Sequence, residues 1–118
     1  MRNDEYLKRA VEWAEKRASI SLKSVSEGYE NTKVFTKKST QEKFQADVSF
    51  ITEGGVKHYS VVALKVENQK QTAAKWKLLS LLASMKRGQL HLLTPTGHKA
   101  FVKKIVNSHN INAIIHSL

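Results

Sequence analysis

The side chains best suited to chemistry in this sequence are basic. Lys70, Lys75, Lys77, Lys86 and Arg87 decorate one predicted helix and its ends, and Lys99, Lys103 and Lys104 decorate the next. Residues 1–67 hold twelve basic and all ten acidic side chains, a net charge of +2, whereas residues 68–118 hold eight basic and none acidic, a net charge of +8. Lysine-rich faces of this kind contact phosphates, which gives affinity with little sequence reading. A net charge of +10 on 118 residues also steers polyanions toward the molecule, so nucleic acid is the first partner expected. Any one of these lysines is accounted for as the solvated side of an amphipathic helix. It is the run of 51 residues without an acid that makes the set collectively significant.

Other chemistries have little to build on. With no cysteine, a disulfide scaffold, a thiolate zinc site and a cysteine nucleophile are excluded. His58, His91, His98, His109 and His116 fall on different predicted elements with no i, i+4 pair, so no zinc site is expected. Gly54-Gly55 is hairpin punctuation and Gly97 is isolated, so there is no phosphate-binding glycine loop. No nucleophile-elbow sequence is present, and Ser80 and Ser84 fall on the second helix. Trp76 matches the apolar spacing of that helix and is expected in the core, not as a base-stacking platform.

These residues need elements to position them. The chain reads as a single domain over 1–118, with one proline and no linker or repeat. Leu7, Ala10, Val11, Ala14 and Ala18 recur at three- and four-residue steps and predict a helix over 4–19. Ser24 to Glu30 reads as a loop, and Thr32 to Thr36 as a first strand. Phe44, Ala46, Val48 and Phe50 alternate on one face of a strand running to Ile51. After the Glu53-Gly54-Gly55 turn, His58 to Glu67 makes the returning strand, apolar on both faces. Thr72 to Lys86 is a second helix with Trp76, Leu78, Leu79, Leu82 and Met85 inside, ended by Gly88 as a left-handed cap. A strand at Leu90–Leu93, a helix over 98–108 and a last strand at Ile111–Ile115 follow. The fold class is α/β in the order αβββαβαβ: an antiparallel meander, then crossovers that require parallel pairs, giving a mixed central sheet flanked by helices. No apolar run approaches the roughly 20 residues of a membrane span, and the segment after Met1 has mixed charge. A soluble, cytoplasmic protein without a membrane partner is expected.

The element order, with Asp47 in Gln45-Ala46-Asp47-Val48 and Lys65 in Ala63-Leu64-Lys65, resembles the core of the PD-(D/E)XK superfamily, the restriction-endonuclease-like fold shared with Holliday-junction resolvases. That resemblance implies an Asp on the second strand, a D/E-x-K triplet on the third, and a magnesium-dependent phosphodiester cleavage. In such sites two carboxylates hold the metal against the phosphate and the lysine orients the attacking water or offsets charge. Asp47 and Lys65 then take the catalytic positions, with Asp47 also a metal ligand. Two departures weaken the motif: Ala63 stands where the second carboxylate belongs, and Ala46 where a proline often precedes the Asp. Glu67, on the strand face of Ala63 and Lys65, is the candidate to replace that carboxylate as a third catalytic residue and a metal ligand, with Glu12 or Glu15 on the first helix as alternative ligands. Against these roles stand ordinary ones. Asp47 suits a solvated position or an ion pair with Lys65 or Lys57, Lys65 a snorkelling strand lysine, Glu67 a solvated strand end, and Glu12 and Glu15 helix-surface pairs.

The function expected is therefore a nucleic-acid-binding protein, DNA favoured over RNA, with weakened or lost Mg2+-dependent endonuclease activity; a homodimer stays open as its assembly. A second reading is a double-stranded RNA-binding domain. The stretch Phe44 to Val48 through Lys70 to Lys75 loosely resembles that domain's last strands and lysine-led helix, which reads RNA by shape. A third is a nonenzymatic interaction module. The nuclease-like reading places Asp47 and Lys65 together at one end of a mixed sheet between the first two helices. The RNA reading requires an antiparallel three-stranded sheet with both helices on one face.

Overall fold

The computed structural model describes residues 4–65 and 68–118. Helix α1 (Asp4–Glu15) is shorter than its apolar periodicity predicts. The amides of Arg17 and Ala18 both turn back to the Ala14 carbonyl, at 3.0 and 2.9 Å. The Arg17 guanidinium lies 4.1 Å from the centroid of the Trp13 ring and donates to the Trp13 carbonyl at 2.8 Å. The chain then forms β1 (Ser21–Ser24), β2 (Val34–Thr36), β3 (Lys43–Gln45) and β4 (Val48–Thr52). A 3-10 turn at Glu53–Gly55 leads into β5 (Val56–Val62), followed by α2 (Gln69–Met85), β6 (Leu90–Thr94), α3 (Lys99–Ser108) and β7 (Ala113–Ser117).

Five strands make one mixed sheet in the order β1-β4-β5-β6-β7. The pairs β1/β4 and β4/β5 are antiparallel, whereas β5/β6 and β6/β7 are parallel, as expected of strands joined through α2 and α3. Alternate side chains of β5 face opposite layers. Tyr59, Val61 and Ala63 pack with Ala73, Trp76, Leu79 and Ala83 of α2 and Val102 and Ile105 of α3. Val62 packs with Val48, Phe50 and Leu93 against Ala10, Val11 and Ala14 of α1. The protein is thus α/β, with α1 on one face of the sheet and α2 and α3 on the other. Trp76 is core, as its spacing predicts. Among the described residues no helix is long and apolar enough to cross a membrane.

Several sequence expectations are corrected. The first strand of the sheet is Ser21–Ser24, in a stretch whose end reads as loop by its serines, while the strand expected at Thr32–Thr36 pairs with β3 in a separate hairpin. The single strand expected from Phe44 to Ile51 is two strands. Ala46 faces the α2 layer and Val48 the α1 layer, so the alternation breaks at Asp47. There the Asp47 amide donates to the Ser60 carbonyl and its own carbonyl accepts from Val25, both at 3.0 Å. The returning strand ends at Val62 instead of Glu67, although the Ala63 amide still donates to Leu93 of β6 at 2.8 Å.

Helix α2 starts three residues before Thr72 because Asn68 caps it, its Oδ1 accepting from the Gln71 amide at 3.0 Å. At its other end the left-handed residue is Arg87 (φ 64°), not Gly88. Gly88 is required for a different reason: a Cβ there would stand 1.7 Å from the Lys57 carbonyl oxygen, where the turn crosses the start of β5. The inner face of α2 is the expected one only in part: Trp76 and Leu79 are buried and Leu82 packs against the same cluster, but Met85 is not inside. Ala73, Trp76, Leu79, Ser80 and Ala83 are buried, Leu78 and Leu82 are half-buried, and Met85 is exposed.

Candidate functional site

The carboxyl ends of β5, β6 and β7 share one edge of the sheet because these strands are parallel. Asp47 is anchored there. Its Oδ2 accepts from the Val62 amide at 2.8 Å, and only 8% of the residue is exposed. The side chain therefore serves the last amide of β5 where β4 has stepped out of the ladder, which keeps a buried N–H satisfied. Lys65 follows three residues later. It is exposed and lies beyond the ladder, not among apolar strand residues as expected. Its amide donates to His98 Nδ1 at 2.8 Å, which ties the segment after β5 to the loop before α3. Sequence assigned His98 only to the start of a helix. It occupies the N-cap position of α3 but makes no side-chain cap bond, its ring being directed to Lys65.

Two helices begin at this edge, and neither carries an acid in its first turn. Instead Lys70 stands in the first turn of α2 and Lys99 opens α3, with Lys99 Nζ donating to Ser117 Oγ at 3.1 Å. Helix N-termini carry partial positive charge and favour anions, so lysines placed there run against the dipole. Lys65, Lys70 and Lys99 thus stand at this edge with the amino ends of two helices, the Gln71 amide of α2 being taken by its Asn68 cap. That combination suits a phosphate, which accepts from both kinds of donor.

The remaining predicted residues divide as follows. Lys77, Lys86, Lys103 and Lys104 are exposed, Lys75 is half-buried, and Arg87 is exposed with its guanidinium donating to the Gly54 carbonyl. Helices α2 and α3, which carry most of these lysines, pack on the same face of the sheet. Glu67, expected as a catalytic residue and metal ligand, lies outside the described residues. Glu12 is exposed on α1, where it lines a cavity of about 500 Å3 with Glu15 and Glu27. Ala63 is fully buried under α2 and supplies no ligand. Among the described residues no group of three or more His, Asp or Glu side chains is arranged to hold a metal ion. The donors that can be described do not fit the two-carboxylate magnesium site implied by the resemblance.

Three histidines that the sequence scatters are brought together on the α1 face of the sheet. His91 on β6 reaches His116 on β7 (Nδ1 to Nε2, 2.9 Å) and His58 on β5 (Nε2 to Nδ1, 3.1 Å). His58 Nδ1 also accepts from the Gln89 amide at 3.3 Å. Trp13 covers His91 and His116 with ring centroids 5.1 and 4.9 Å away, and Phe50 stacks on His58 at 5.0 Å. Burial, followed by the positive charges possible at His116, His58 and Arg17, pushes the His91 pKa down to about 4. Burial lowers His58 and, with Arg17, His116 as well. The row is therefore a neutral, packed polar layer. The only sequence signal for it was register: His91 lies opposite Ser60, two residues from His58, and opposite Ile114, two residues from His116.

No protein-family model matches the chain, and no curated protein or solved structure matches it either. Its class is set by its own geometry: an α/β protein with a mixed five-stranded sheet between one helix and two.

Proposed function

We propose that the protein binds nucleic acid, DNA in preference to RNA, on a PD-(D/E)XK nuclease-like scaffold whose endonuclease activity is weakened or lost. The observation that carries this reading is the sheet edge to which Lys65, Lys70 and Lys99 belong, where α2 and α3 both begin without an acid in their first turns. Phosphates are the ligands that such an edge favours, and Lys103 and Lys104 extend the positive surface along α3. The anchoring of Asp47 to the Val62 amide, three residues before Lys65, beside a mixed sheet with α1 and α2 on opposite faces supports the nuclease-like scaffold over the RNA-binding alternative. The latter needs an antiparallel sheet with both helices on one face.

Binding and cleavage are tested together. The native chain, Asp47→Ala and Lys65→Ala are incubated with duplex and four-way-junction DNA in magnesium or manganese, and binding is read separately by anisotropy. The expected result is DNA binding by the native chain with slow or undetectable cleavage, and any cleavage abolished in Asp47→Ala. Tighter binding to duplex RNA than to DNA, or no binding at low salt, overturns the reading. Undiminished cleavage by either variant removes that residue from the site. A homodimer would set two such edges on two strands, and sedimentation on DNA reports it.

A further inference from the structure

Helix α2 is apolar on two sides. Its inner residues Ala73, Trp76, Leu79 and Ala83 meet the sheet. On the opposite side, Leu78, Leu81, Leu82 and Met85 recur at three- and four-residue steps and form a second stripe. Leu81 is 58% exposed and Met85 70%. The β2–β3 hairpin covers only one margin of this stripe, where Phe35, Phe44, Leu78 and Leu82 line an apolar groove of about 340 Å3. A helix apolar on two sides normally has neighbours on both, and here Leu81 and Met85 stay exposed.

The surroundings select the occupant. Lys37 lines the groove, Lys33 Nζ sits 5.4 Å from the Phe35 ring centroid, and Lys77 and Lys86 bracket the stripe on α2. The hairpin's one acid, Glu42, accepts from Thr40 Oγ1 at 3.0 Å, and α2 contains no acid at all. A second copy of the chain would bring one lysine-bordered stripe onto another, and like charges oppose that pairing. Nucleic acid offers phosphate to the lysines but nothing to the leucines. The geometry points to an acidic amphipathic helix of a partner protein, its apolar residues seated on Leu78, Leu81, Leu82 and Met85 and its Glu or Asp residues paired with the bordering lysines. This surface occupies the carboxyl half of α2, away from the helix start at the sheet edge.

The test uses the full chain and a fluorescein-labelled helical peptide with leucines at i, i+3, i+4 and i+7 flanked by glutamates. A second peptide with the same leucines flanked by lysines is the control. Anisotropy is expected to show binding of the glutamate peptide, at least tenfold weaker binding of the lysine peptide, and at least tenfold weaker binding of the glutamate peptide to the double variant Leu81→Gln, Met85→Gln. Both substituted positions are exposed, and a circular dichroism spectrum matching that of the native chain establishes that the variant is folded. Equal binding to the native chain and the variant, equal binding of both peptides, or no binding of the glutamate peptide overturns the inference. So does a concentration-dependent dimer that the double variant abolishes, since the stripe would then belong to a second copy. Displacement of the peptide by unlabelled duplex DNA that the double variant also fails to bind would assign the surface to nucleic acid.

Discussion

Lowering the pH from neutrality should loosen this protein, and His91 sets the scale. The residue is 8% exposed, under Trp13 and between His58 and His116. Its pKa falls from 6.5 to about 4, chiefly because burial penalises the charged ring and secondarily because His116, His58 and Arg17 add positive charge around it. Unfolding returns the ring to water, where it binds a proton near pH 6.5, so the unfolded state gains protons first. The stabilisation is fully present above pH 6.5 and is lost progressively as the pH falls toward 4. A drop of this size corresponds to about 3 kcal/mol over the whole window, of which about 2 kcal/mol is gone by pH 5. His58 and His116, both also lowered, add to the loss in the same direction. Urea unfolding followed by tryptophan fluorescence between pH 7.5 and 5 reads it, since ordinary carboxylates titrate below that window. The midpoint should fall steadily with pH in the native chain, and His91→Gln should flatten the slope. A native midpoint that does not move, or an unchanged slope in His91→Gln, refutes the reasoning.

Other substitutions probe separate parts of the account. Gly88→Ala should cost about 3 kcal/mol or more by urea unfolding, because the new methyl meets the Lys57 backbone, while Gly28→Ala, strained in φ but in open space, should cost far less. Trp76→Ala removes the largest fully buried side chain and should cost about 3–5 kcal/mol by the same measurement. Asp47→Ala should cost about 1–3 kcal/mol by leaving the Val62 amide unpaired, with Asp47→Asn less damaging because an acceptor oxygen remains. Replacing Lys103 and Lys104 together by Gln should reduce the salt slope of DNA binding by up to about 2, in proportion to the phosphates each contacts.

The sequence was legible wherever periodicity was long and one-sided. Leu7, Ala10, Val11 and Ala14 announce α1, and the two-faced run around Tyr59 to Val62 announces a central strand. The parallel pairing of β6 and β7 followed from the intervening helices alone. What was hidden depended on single contacts over distance. Ser21–Ser24 carries no β-branched signal and becomes a strand only because β4 lies beside it. The face change between Ala46 and Val48 follows from the break in register at Asp47, where its amide bonds Ser60 and its carboxylate bonds Val62. Of the site, Asp47 and the lysines were named from the sequence. The link from Lys65 to His98, 33 residues away, and the row of three histidines exist only in the assembled sheet. The second apolar side of α2 is visible as leucines, but pattern alone does not say which of two stripes meets the sheet: Leu82 still packs against the core cluster, whereas Met85 is exposed.

The central claim is that the carboxyl edge of the parallel strands holds phosphates. Its most direct test is anisotropy of labelled duplex DNA, duplex RNA and a four-way junction across a salt series, for the native chain and for the triple variant Lys65→Gln, Lys70→Gln, Lys99→Gln. The account predicts DNA bound more tightly than RNA, log affinity falling linearly with log salt, and a slope shallower by about 2 to 3 in the variant. Native binding that is absent at low salt, or a slope unchanged by removing all three lysines, contradicts it.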